Sequence, residues 1–402
     1  MNISEIGNKI FYAGVNNRTA SVFEELWPIP NGVSYNSYVV AGDKVALIDT
    51  VPACYCIKFL NNIAAIIGDR PIDYLIINHM EPDHSGAIQI IRQKYPDIKI
   101  VGNSKTADMI AGYYGITDNI LIIKENDTID LGAGKTLRFF LTPMVHWPET
   151  MMTYLESDAF IFTGDAFGCY GALNGGVVDN EMNTDLYIPE MYRYYSNIVA
   201  KYGVMVQNAL KKTAALKIDY ICPTHGPVWH ERAAEVVGLY DKMSRFEAEP
   251  GVVIAYGSMY GNTEEAVEII ASQLVKSGVK NVKVYNLSHT SYSYVLADVM
   301  RYKGFIVAGP TYSNALFPPV EALMKALHLR DIRNRAFAYF GSYTWASAVT
   351  KRIEAIIEGM KIDVVATPFN MKQSANKDIE ESCHNSLAKW QLRCFKHIVT
   401  HN

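Results

Sequence analysis

The sequence lacks the features that define several large classes of protein. Its 402 residues contain six cysteines but no Cys-x-x-Cys motif, which argues against a disulfide framework and favours a reducing, cytoplasmic location. No run of about eighteen apolar residues occurs, and no basic segment followed by an apolar one opens the chain, so neither a membrane span nor an export signal is expected. The net charge of only −4 offers no basic surface for nucleic acid or an anionic membrane.

The composition is that of a folded protein with more than one domain. Hydrophobic residues make up 49% of the chain and charged residues 19%, and the length suggests two or three domains at about 150 residues each. The clearest boundary is the Pro250-Gly251 pair, which follows an amphipathic run and precedes an apolar one. We therefore expect domains at 1–249 and 250–402. Their net charges, −9 and +5, are compatible with facing surfaces or with two separately solvated ones.

The second domain alternates between apolar and amphipathic runs. This alternation over about 150 residues predicts an α/β domain with a doubly wound parallel sheet. The expected strands are 252–258, 281–287, 304–310, 336–342 and 363–369. The expected helices are 262–278, 319–328, 346–359 and 375–398.

The first domain begins differently, with two short apolar runs joined by Gly42-Asp43 that predict a hairpin. Many apolar strands with helices between them predict an α+β sandwich of two sheets covered by helices. The expected strands are 35–40, 45–49, 73–78, 98–102, 137–142, 151–155, 159–163 and 219–222.

Potential metal ligands follow the apolar strands of the first domain. Four of them lie in the segment His79-Met80-Glu81-Pro82-Asp83-His84, where Pro82 predicts a loop. His146, Asp165 and His225 each follow another strand. Four imidazoles and three carboxylates, without a thiolate, favour iron, manganese or zinc. Seven ligands exceed the needs of one tetrahedral ion, so we expect two metal ions bridged by a carboxylate.

A second group of residues in the other domain indicates a phosphate site. The segment from Ser258 to Thr263 follows a strand and opens a helix, where backbone N–H groups and hydroxyls bind phosphate. It has no lysine and no GxGxxG pattern, which excludes a triphosphate loop and a dinucleotide fingerprint. The loops 309–314 and 341–345 follow two further strands and carry aromatic side chains. Core packing remains an alternative role for Tyr260 and Tyr343.

These motifs resemble known families. The spacing His-x-Glu-x-Asp-His, followed by separate His, Asp and His residues, resembles the metallo-β-lactamase superfamily. Glu81 stands where the hydrolases of that superfamily carry His, and in this it is similar to the flavodiiron proteins, whereas the three loops of the second domain resemble flavodoxin. The resemblance covers nearly the whole chain. It implies a lactamase-like αββα domain at 1–249 and a flavodoxin-like domain at 250–402.

The resemblance also implies two cofactors, a diiron centre and FMN. It places His79, Glu81 and His146 on one iron and Asp83, His84 and His225 on the other, with Asp165 bridging. The neighbours Asp83 and His84 need a particular backbone geometry to reach one ion. The FMN-binding residues that it implies are Ser258, Met259, Tyr260, Gly261, Asn262 and Thr263 around the phosphate, and Pro310, Thr311, Tyr312, Asn314, Ser342, Tyr343, Thr344 and Trp345 around the ring.

The function that the resemblance implies is reduction of a gas, either O₂ to water or NO to N₂O, with electrons from FMN. Trp147 and Tyr195 are candidates for the wall of the gas pocket, and Tyr195 for a hydrogen bond to the bound gas. No rubredoxin-like cysteine pair follows residue 390, so we expect an external electron donor: a rubredoxin, a reduced deazaflavin or another reductase. The family arrangement is a head-to-tail homodimer, or a dimer of such dimers, with the FMN of one subunit near the irons of the next.

Two other functions are compatible with parts of the sequence. The first is a zinc hydrolase fused to a flavodoxin, against which Glu81 argues because the hydrolases carry His there. The second is a non-catalytic electron carrier whose first domain is only a scaffold. The complete set of seven ligands argues against it, because a scaffold does not require metal-binding side chains at its strand ends.

Overall fold

The computed structural model describes residues 3–375, which fall into two compact units. The first unit comprises Met1–Tyr195 and Tyr202–Ser244, and the second comprises Ser196–Lys201 and the chain from Arg245 onward. The short segment 196–201 thus belongs to the second unit, although the residues on either side of it in the chain belong to the first. A single boundary near residue 250 does not account for this segment, and the domain limits 1–249 and 250–402 remain a prediction.

The first unit contains two large sheets, two small sheets of two strands each, and the helices that cover the large sheets. In chain order, its strands are β1 (Ser4–Gly7), β2 (Ile10–Tyr12), β3 (Val15–Asn17), β4 (Val22–Phe23), β5 (Trp27–Pro28), β6 (Val33–Tyr35), β7 (Tyr38–Ala41), β8 (Val45–Ile48), β9 (Tyr74–Ile76), β10 (Lys99–Gly102), β11 (Ile120–Ile122), β12 (Thr128–Asp130), β13 (Thr136–Leu141), β14 (Met151–Leu155), β15 (Phe160–Gly164) and β16 (Tyr220–Pro223). Its helices are α1 (Cys56–Ile67), α2 (Pro82–Ser85), α3 (Ile88–Lys94), α4 (Ser104–Tyr114), α5 (Tyr187–Tyr194), α6 (Gly203–Thr213) and α7 (Ala233–Ser244).

The two large sheets share one core, which makes the unit a sandwich. The first has the order β1-β2-β7-β8-β9-β10-β11, and the second runs from β12 to β16 in sequence order. One buried apolar cluster contains side chains of both sheets, and the rings of Tyr38 and Phe162 lie 5.2 Å apart within it. The expected αββα sandwich is confirmed. Strands β7, β8, β14 and β15 are buried along their whole length, because each sheet is covered on one face by the other sheet and on the opposite face by helices.

The ends of the elements position the candidate ligands. His79 follows β9, His146 follows β13, Asp165 follows β15 and His225 follows β16. The chain therefore leaves the core after each of these strands, and side chains in the connections are free of the sheet ladders.

The sequence interpretation is wrong for the segment around Pro82. We expected a loop, but α2 begins at Pro82 and extends to Ser85. Proline is well accommodated at the first helical position, where its missing N–H is not needed. The short helix carries Asp83 and His84, and the backbone N–H of His84 donates to the carbonyl of Glu81 at 2.9 Å.

The second unit is a doubly wound sheet. In chain order, its elements are β17 (Glu249–Tyr256), α8 (Asn262–Lys276), β18 (Val282–Asn286), α9 (Tyr292–Arg301), β19 (Tyr302–Tyr312), β20 (Ala315–Leu316), α10 (Pro318–Leu329), β21 (Ala336–Tyr343), α11 (Val349–Ile357), β22 (Asp363–Val364) and β23 (Phe369–Lys372). The order is β18-β17-β19-β21-β22, with β23 also beside β21, and these strands are parallel. This 2-1-3-4-5 order is that of flavodoxin, as expected.

Three details of this unit differ from the sequence interpretation. Helix α9 was not expected, and its N-terminus is capped by the hydroxyl of Ser291, which accepts from the backbone N–H of Ser293. The strand expected at 363–369 is instead the two short strands β22 and β23. The first strand begins at Glu249, so that the Pro250-Gly251 pair lies inside it rather than before it. The helix expected at 375–398 lies outside the described residues, apart from residue 375.

The described residues contain neither a disulfide nor a helix suited to span a membrane. Cys54, Cys56, Cys169 and Cys222 form no disulfide. Between residues 3 and 375, none of the helices combines the length and apolar character that crossing a bilayer requires.

A buried arginine joins the segments of the second unit. The side chain of Arg335 is 1% exposed, and it donates mainly to backbone carbonyls, at 2.6 Å for Val299 and 2.8 Å for Phe246. The carbonyls of Met300, Arg333 and Asn334 are further acceptors. Burial lowers the pKa of its guanidinium to about 10. One side chain thus satisfies acceptors at the end of α9 and at the start of the unit.

We predict that Arg335→Met destabilises the second unit by about 3 kcal/mol, because several buried carbonyls lose their donor while the volume is kept. Hydrogen exchange of the amides in β17, β19 and β21 measures the change. The matched control is Arg352→Met, which removes an exposed arginine of the same unit. Equal protection of the sheet amides in both variants would contradict this role of Arg335.

Candidate metal and flavin sites

Four of the seven predicted ligands converge at one point of the first unit. The Nε2 atom of His146 lies 3.2 Å from Oε2 of Glu81 and 3.0 Å from Oδ2 of Asp165. The Nε2 atom of His79 lies 3.3 Å from the same glutamate oxygen and 3.5 Å from the same aspartate oxygen. All four side chains thus direct one donor atom into a common space, as metal binding requires.

The other three ligands form a neighbouring group. The Nε2 atoms of His84 and His225 are 3.0 Å apart, and Oδ2 of Asp83 lies 3.1 Å from the first and 3.4 Å from the second. The adjacent residues Asp83 and His84 therefore do reach one point, with 3.1 Å between Oδ2 of the first and Nε2 of the second.

Asp165 lies between the two groups. Its Oδ2 atom faces His79 and His146, whereas its Oδ1 atom lies 3.1 Å from Nε2 of His84 and 3.6 Å from that of His225. The two oxygens of one buried carboxylate are thus divided between two sets of donors. This is the arrangement of a bridging ligand.

The carboxylates among the predicted ligands favour the binding of cations at this site. Burial opposes ionisation of Asp165, but the charges of His84 and His79 hold its pKa well below the ordinary value. Burial likewise opposes protonation of His79, yet Asp165 and Glu149 raise its pKa to about 10. The carboxylates therefore stabilise positive charge in this buried space, and metal ions that displace the imidazole protons would supply it.

The donor set fits a pair of iron ions. Imidazole nitrogen and carboxylate oxygen without thiolate suit iron in its ferrous and ferric states. Both carboxylate oxygens of Asp83 are buried and accept no hydrogen bond, which a metal ion would explain. The facing nitrogens of His84 and His225 also suit a shared cation better than a hydrogen bond between two rings.

The predicted flavin residues line one cavity of about 510 Å³ in the second unit. It opens at the carboxyl ends of β17, β19 and β21, where doubly wound sheets bind their ligands. The hydroxyls of Thr263 and Ser342 are 2.8 Å apart and join two of the loops. The thirteen predicted residues that line it are Ser258, Met259, Tyr260, Asn262, Thr263, Pro310, Thr311, Tyr312, Asn314, Ser342, Tyr343, Thr344 and Trp345.

Gly261 contributes through its backbone rather than as a lining residue. Its φ of 91° is one that side chains rarely adopt, and it directly precedes α8. Its N–H donates to the hydroxyl of Ser258 at 3.1 Å, which closes the loop. Tyr260 and Trp345 are each 88% exposed, so both rings are available to a planar ligand and core packing does not explain Tyr260. The loops fit FMN, with a helix N-terminus for its phosphate and aromatic rings for its isoalloxazine.

Comparisons with known proteins agree with both sites. The family model described as ODP family beta lactamase matches residues 33–226, and the flavodoxin model matches residues 254–385. The chain is 32% identical over 356 residues to the anaerobic nitric oxide reductase flavorubredoxin of Shigella dysenteriae, covering 88% of this chain and 74% of that one. The corresponding protein of Vibrio vulnificus is 33% identical over 82% of this chain and 67% of its own.

This chain belongs to the flavodiiron protein family. Solved structures agree: rubredoxin oxygen:oxidoreductase from Desulfovibrio gigas has a TM-score of 0.94 at 26% identity, covering 99% of this chain and all of the other. A flavo di-iron protein from Thermotoga maritima has a TM-score of 0.87 at 25% identity, covering 95% and 96%.

Trp147 contacts the ligands of this flavodiiron protein. Its ring lies edge-on to His79 at 5.3 Å and to His146 at 6.4 Å, so that it forms part of the wall beside the first group. Tyr195 is placed differently. Its ring packs on Tyr240 at 5.1 Å, and burial alone raises its pKa.

Two tyrosines that sequence reasoning missed do contact a predicted ligand: Tyr35, whose ring centroid is 5.6 Å from that of His225, and Tyr194. Tyr194 is the neighbour of Tyr195 in the chain. Its ring centroid is 5.5 Å from that of His225, and burial together with the charge of Asp165 raises its pKa. One step along a helix turns a side chain by about 100°, so neighbouring tyrosines cannot share a face. The role of Tyr195 toward a bound gas remains a prediction.

Two acidic residues near the ligands were also missed. Oε1 of Glu149 lies 2.8 Å from Nδ1 of His79 and accepts from the N–H of Met80 at 2.8 Å. Glu24 lies near Glu81, and burial followed by the charge of Glu81 raises the pKa of Glu24 to about 7. Neither lies in a ligand motif, so the sequence contains no signal for them.

Glu149 fixes the orientation of His79, and we expect Glu149→Gln to lower iron affinity by about 10- to 100-fold. The amide keeps the shape but cannot stabilise the ring as the carboxylate does. Iron retained after dialysis against a graded series of chelator concentrations measures the loss. Glu125→Gln, in a part-exposed ion pair with Lys212, is the control. Identical retention in the two variants would contradict an orienting role.

Proposed function

We propose that this flavodiiron protein reduces O₂ to water, NO to N₂O, or both. The observation that carries the proposal is the division of seven buried or half-buried donors into two groups that meet at Asp165. Bound FMN would supply electrons singly after taking them up in pairs, and a pair of irons would supply the place at which a diatomic gas is bound and reduced. Reduction of one O₂ consumes four electrons and four protons, and reduction of two NO molecules consumes two of each.

The contribution of the protein is positioning and charge. Glu149 and the carbonyl of Ser34, which accepts from Nδ1 of His225 at 2.8 Å, fix the rings of two ligands. The hydroxyl of Thr224 donates to Oδ1 of Asp165 and orients the bridging carboxylate. Trp147 and Tyr194 cover the ligand rings and exclude water from them. Glu81, a carboxylate where a hydrolase has a neutral ring, adds negative charge that favours ferric over zinc chemistry.

Electrons reach the flavin, we propose, from a donor other than these 402 residues, which contain no Cys-x-x-Cys motif. A rubredoxin is the first candidate, and a reduced deazaflavin or another reductase is an alternative. The four described cysteines are free thiols, which supports the proposed cytoplasmic location.

The function is tested with His146→Ala, which removes a ligand of the first group. We expect about two irons per chain in the native protein, and gas consumption lowered about 100-fold or more in the variant. Anaerobic stopped-flow mixing of the reduced protein with O₂ or with NO measures both rates and distinguishes the two gases.

The matched control is His230→Ala, because His230 stacks on Tyr220 at 4.0 Å and is not among the ligands. Zinc without iron in the native protein would support a hydrolase instead. Unchanged gas consumption in His146→Ala would support a simple electron carrier.

We further propose that the working unit is a head-to-tail homodimer, alone or as a dimer of dimers. The family resemblance and the opposite charges of the two domains, −9 and +5, support it. We predict that turnover per chain falls as the protein is diluted below its dimer dissociation constant, because electrons then no longer pass between subunits. Sedimentation velocity at the same concentrations follows the dimer. A monomer that reduces gas at the full rate would contradict the proposal.

A further inference from the structure

A second cavity, of about 600 Å³, lies within the first unit. Its walls come from α6, from α7 and from the second sheet, whose Met152, Ile161 and Ile221 contribute side chains. Polar side chains are few in its lining, and Gln207 and Asp241 are two of them. The amide of Gln207 donates to the carboxylate of Asp241 at 2.8 Å and so joins α6 to α7 beside the cavity.

The inner wall of this cavity includes residues that are adjacent in sequence to predicted metal ligands. Val145 directly precedes the ligand His146, and Ala166 and Phe167 directly follow the bridging Asp165. All three side chains are at most 5% exposed. The cavity therefore extends from the two outer helices to the backbone segments that hold two of the metal ligands.

The chemistry of the walls selects an apolar occupant. The inner wall consists largely of buried aliphatic and aromatic side chains, whereas the outer rim includes the exposed residues Lys211, Ala214 and Ala234. An apolar inner wall offers water few partners, and apolar cavities bind xenon or small apolar molecules. O₂ and NO are small, uncharged and weakly polar, so they enter an apolar space more readily than water does. The two charged residues of the lining, Lys211 and Asp241, belong to α6 and α7 and not to the segments that carry the predicted ligands.

We propose that this cavity binds the gas substrate and supplies it to the diiron site through the wall formed by Val145, Ala166 and Phe167. The proposal rests on the proposed function, since it concerns the substrate of that site. It adds a binding site that contains no metal ligand, and it assigns a role to the space between α6, α7 and the second sheet.

Gly238 of α7 offers a way to fill the cavity without disturbing the fold. It lines the cavity, and a Cβ added there would meet no atom within 4 Å. A larger residue inside a helix is also favoured over glycine by up to about 1 kcal/mol, so substitution does not threaten folding. Gly238→Leu therefore places a side chain in the cavity, whereas Gly238→Ala changes the helix with almost no change of volume.

The control lies on another helix. Gly112 of α4 is likewise a helical glycine whose added Cβ would meet nothing within 4 Å, and it does not line the cavity. Gly112→Leu therefore reproduces the helix effect of the test variant without filling the cavity.

The first measurement is xenon binding, which does not depend on catalysis. Crystals of the metal-loaded protein under xenon pressure should show xenon in the cavity of the native protein, of Gly238→Ala and of Gly112→Leu, but not of Gly238→Leu. The second is the bimolecular rate constant of the reduced protein with O₂ or NO. We expect Gly238→Leu to lower it about tenfold, an effect of the size that one obstructing side chain produces, with the rate at saturating gas unchanged.

Two results would overturn the proposal. One is a native cavity that binds no xenon. The other is a Gly238→Leu variant that excludes xenon but reacts with the gas as fast as the native protein, since the cavity would then be a passive void. A xenon-filled cavity in a protein that reduces neither gas would instead overturn the proposed function and leave the binding of apolar gas supported.

Discussion

The structure of the first unit depends on one buried carboxylate, that of Asp165. A buried negative charge is tolerated only when positive charge and hydrogen bonds surround it. Here four imidazole rings face the carboxylate and the Thr224 hydroxyl donates to it, and metal ions held by these rings would supply the positive charge. Because each oxygen faces a different pair of rings, the same residue defines two groups of ligands. Every other feature of the site serves to keep those rings in place.

Both units place their functional residues by the same physical rule. Strands are fixed by their ladders and by the apolar face that they bury, so side chains with other tasks must lie where the ladders stop. In the first unit the ligands follow β9, β13, β15 and β16. In the second unit the flavin loops follow β17, β19 and β21. Two rigid scaffolds thus each present a set of loops at one edge.

The outer helices of the sandwich add a further layer to this arrangement. Helices α6 and α7 cover the outer face of the second sheet, and their packing leaves an apolar space there. At its inner end that space meets the segments of His146 and Asp165. The two helices that cover the sheet therefore also border a space that reaches the predicted metal site.

The sequence by itself determined the types of residue, their order and the strands that they follow. The central strands were predictable because their apolar runs end at clear breaks, as at Tyr74–Ile76 and Phe160–Gly164. The short strands β1 to β5, β11 and β12 were not expected. Helix α9 was missed because its tyrosines and valines favour strands as much as helices, whereas its covering position is decided by the sheet.

Only the tertiary structure decided which side chains meet. It placed Glu149 on His79, although 70 residues separate them, and it turned Tyr194 rather than Tyr195 toward His225. It also created the cavity beneath α6 and α7, whose walls come from five elements or more. Contacts of this kind depend on the direction of side chains from distant parts of the chain. Local sequence patterns reflect only the spacing of residues within one element, so they do not predict contacts between side chains from distant elements.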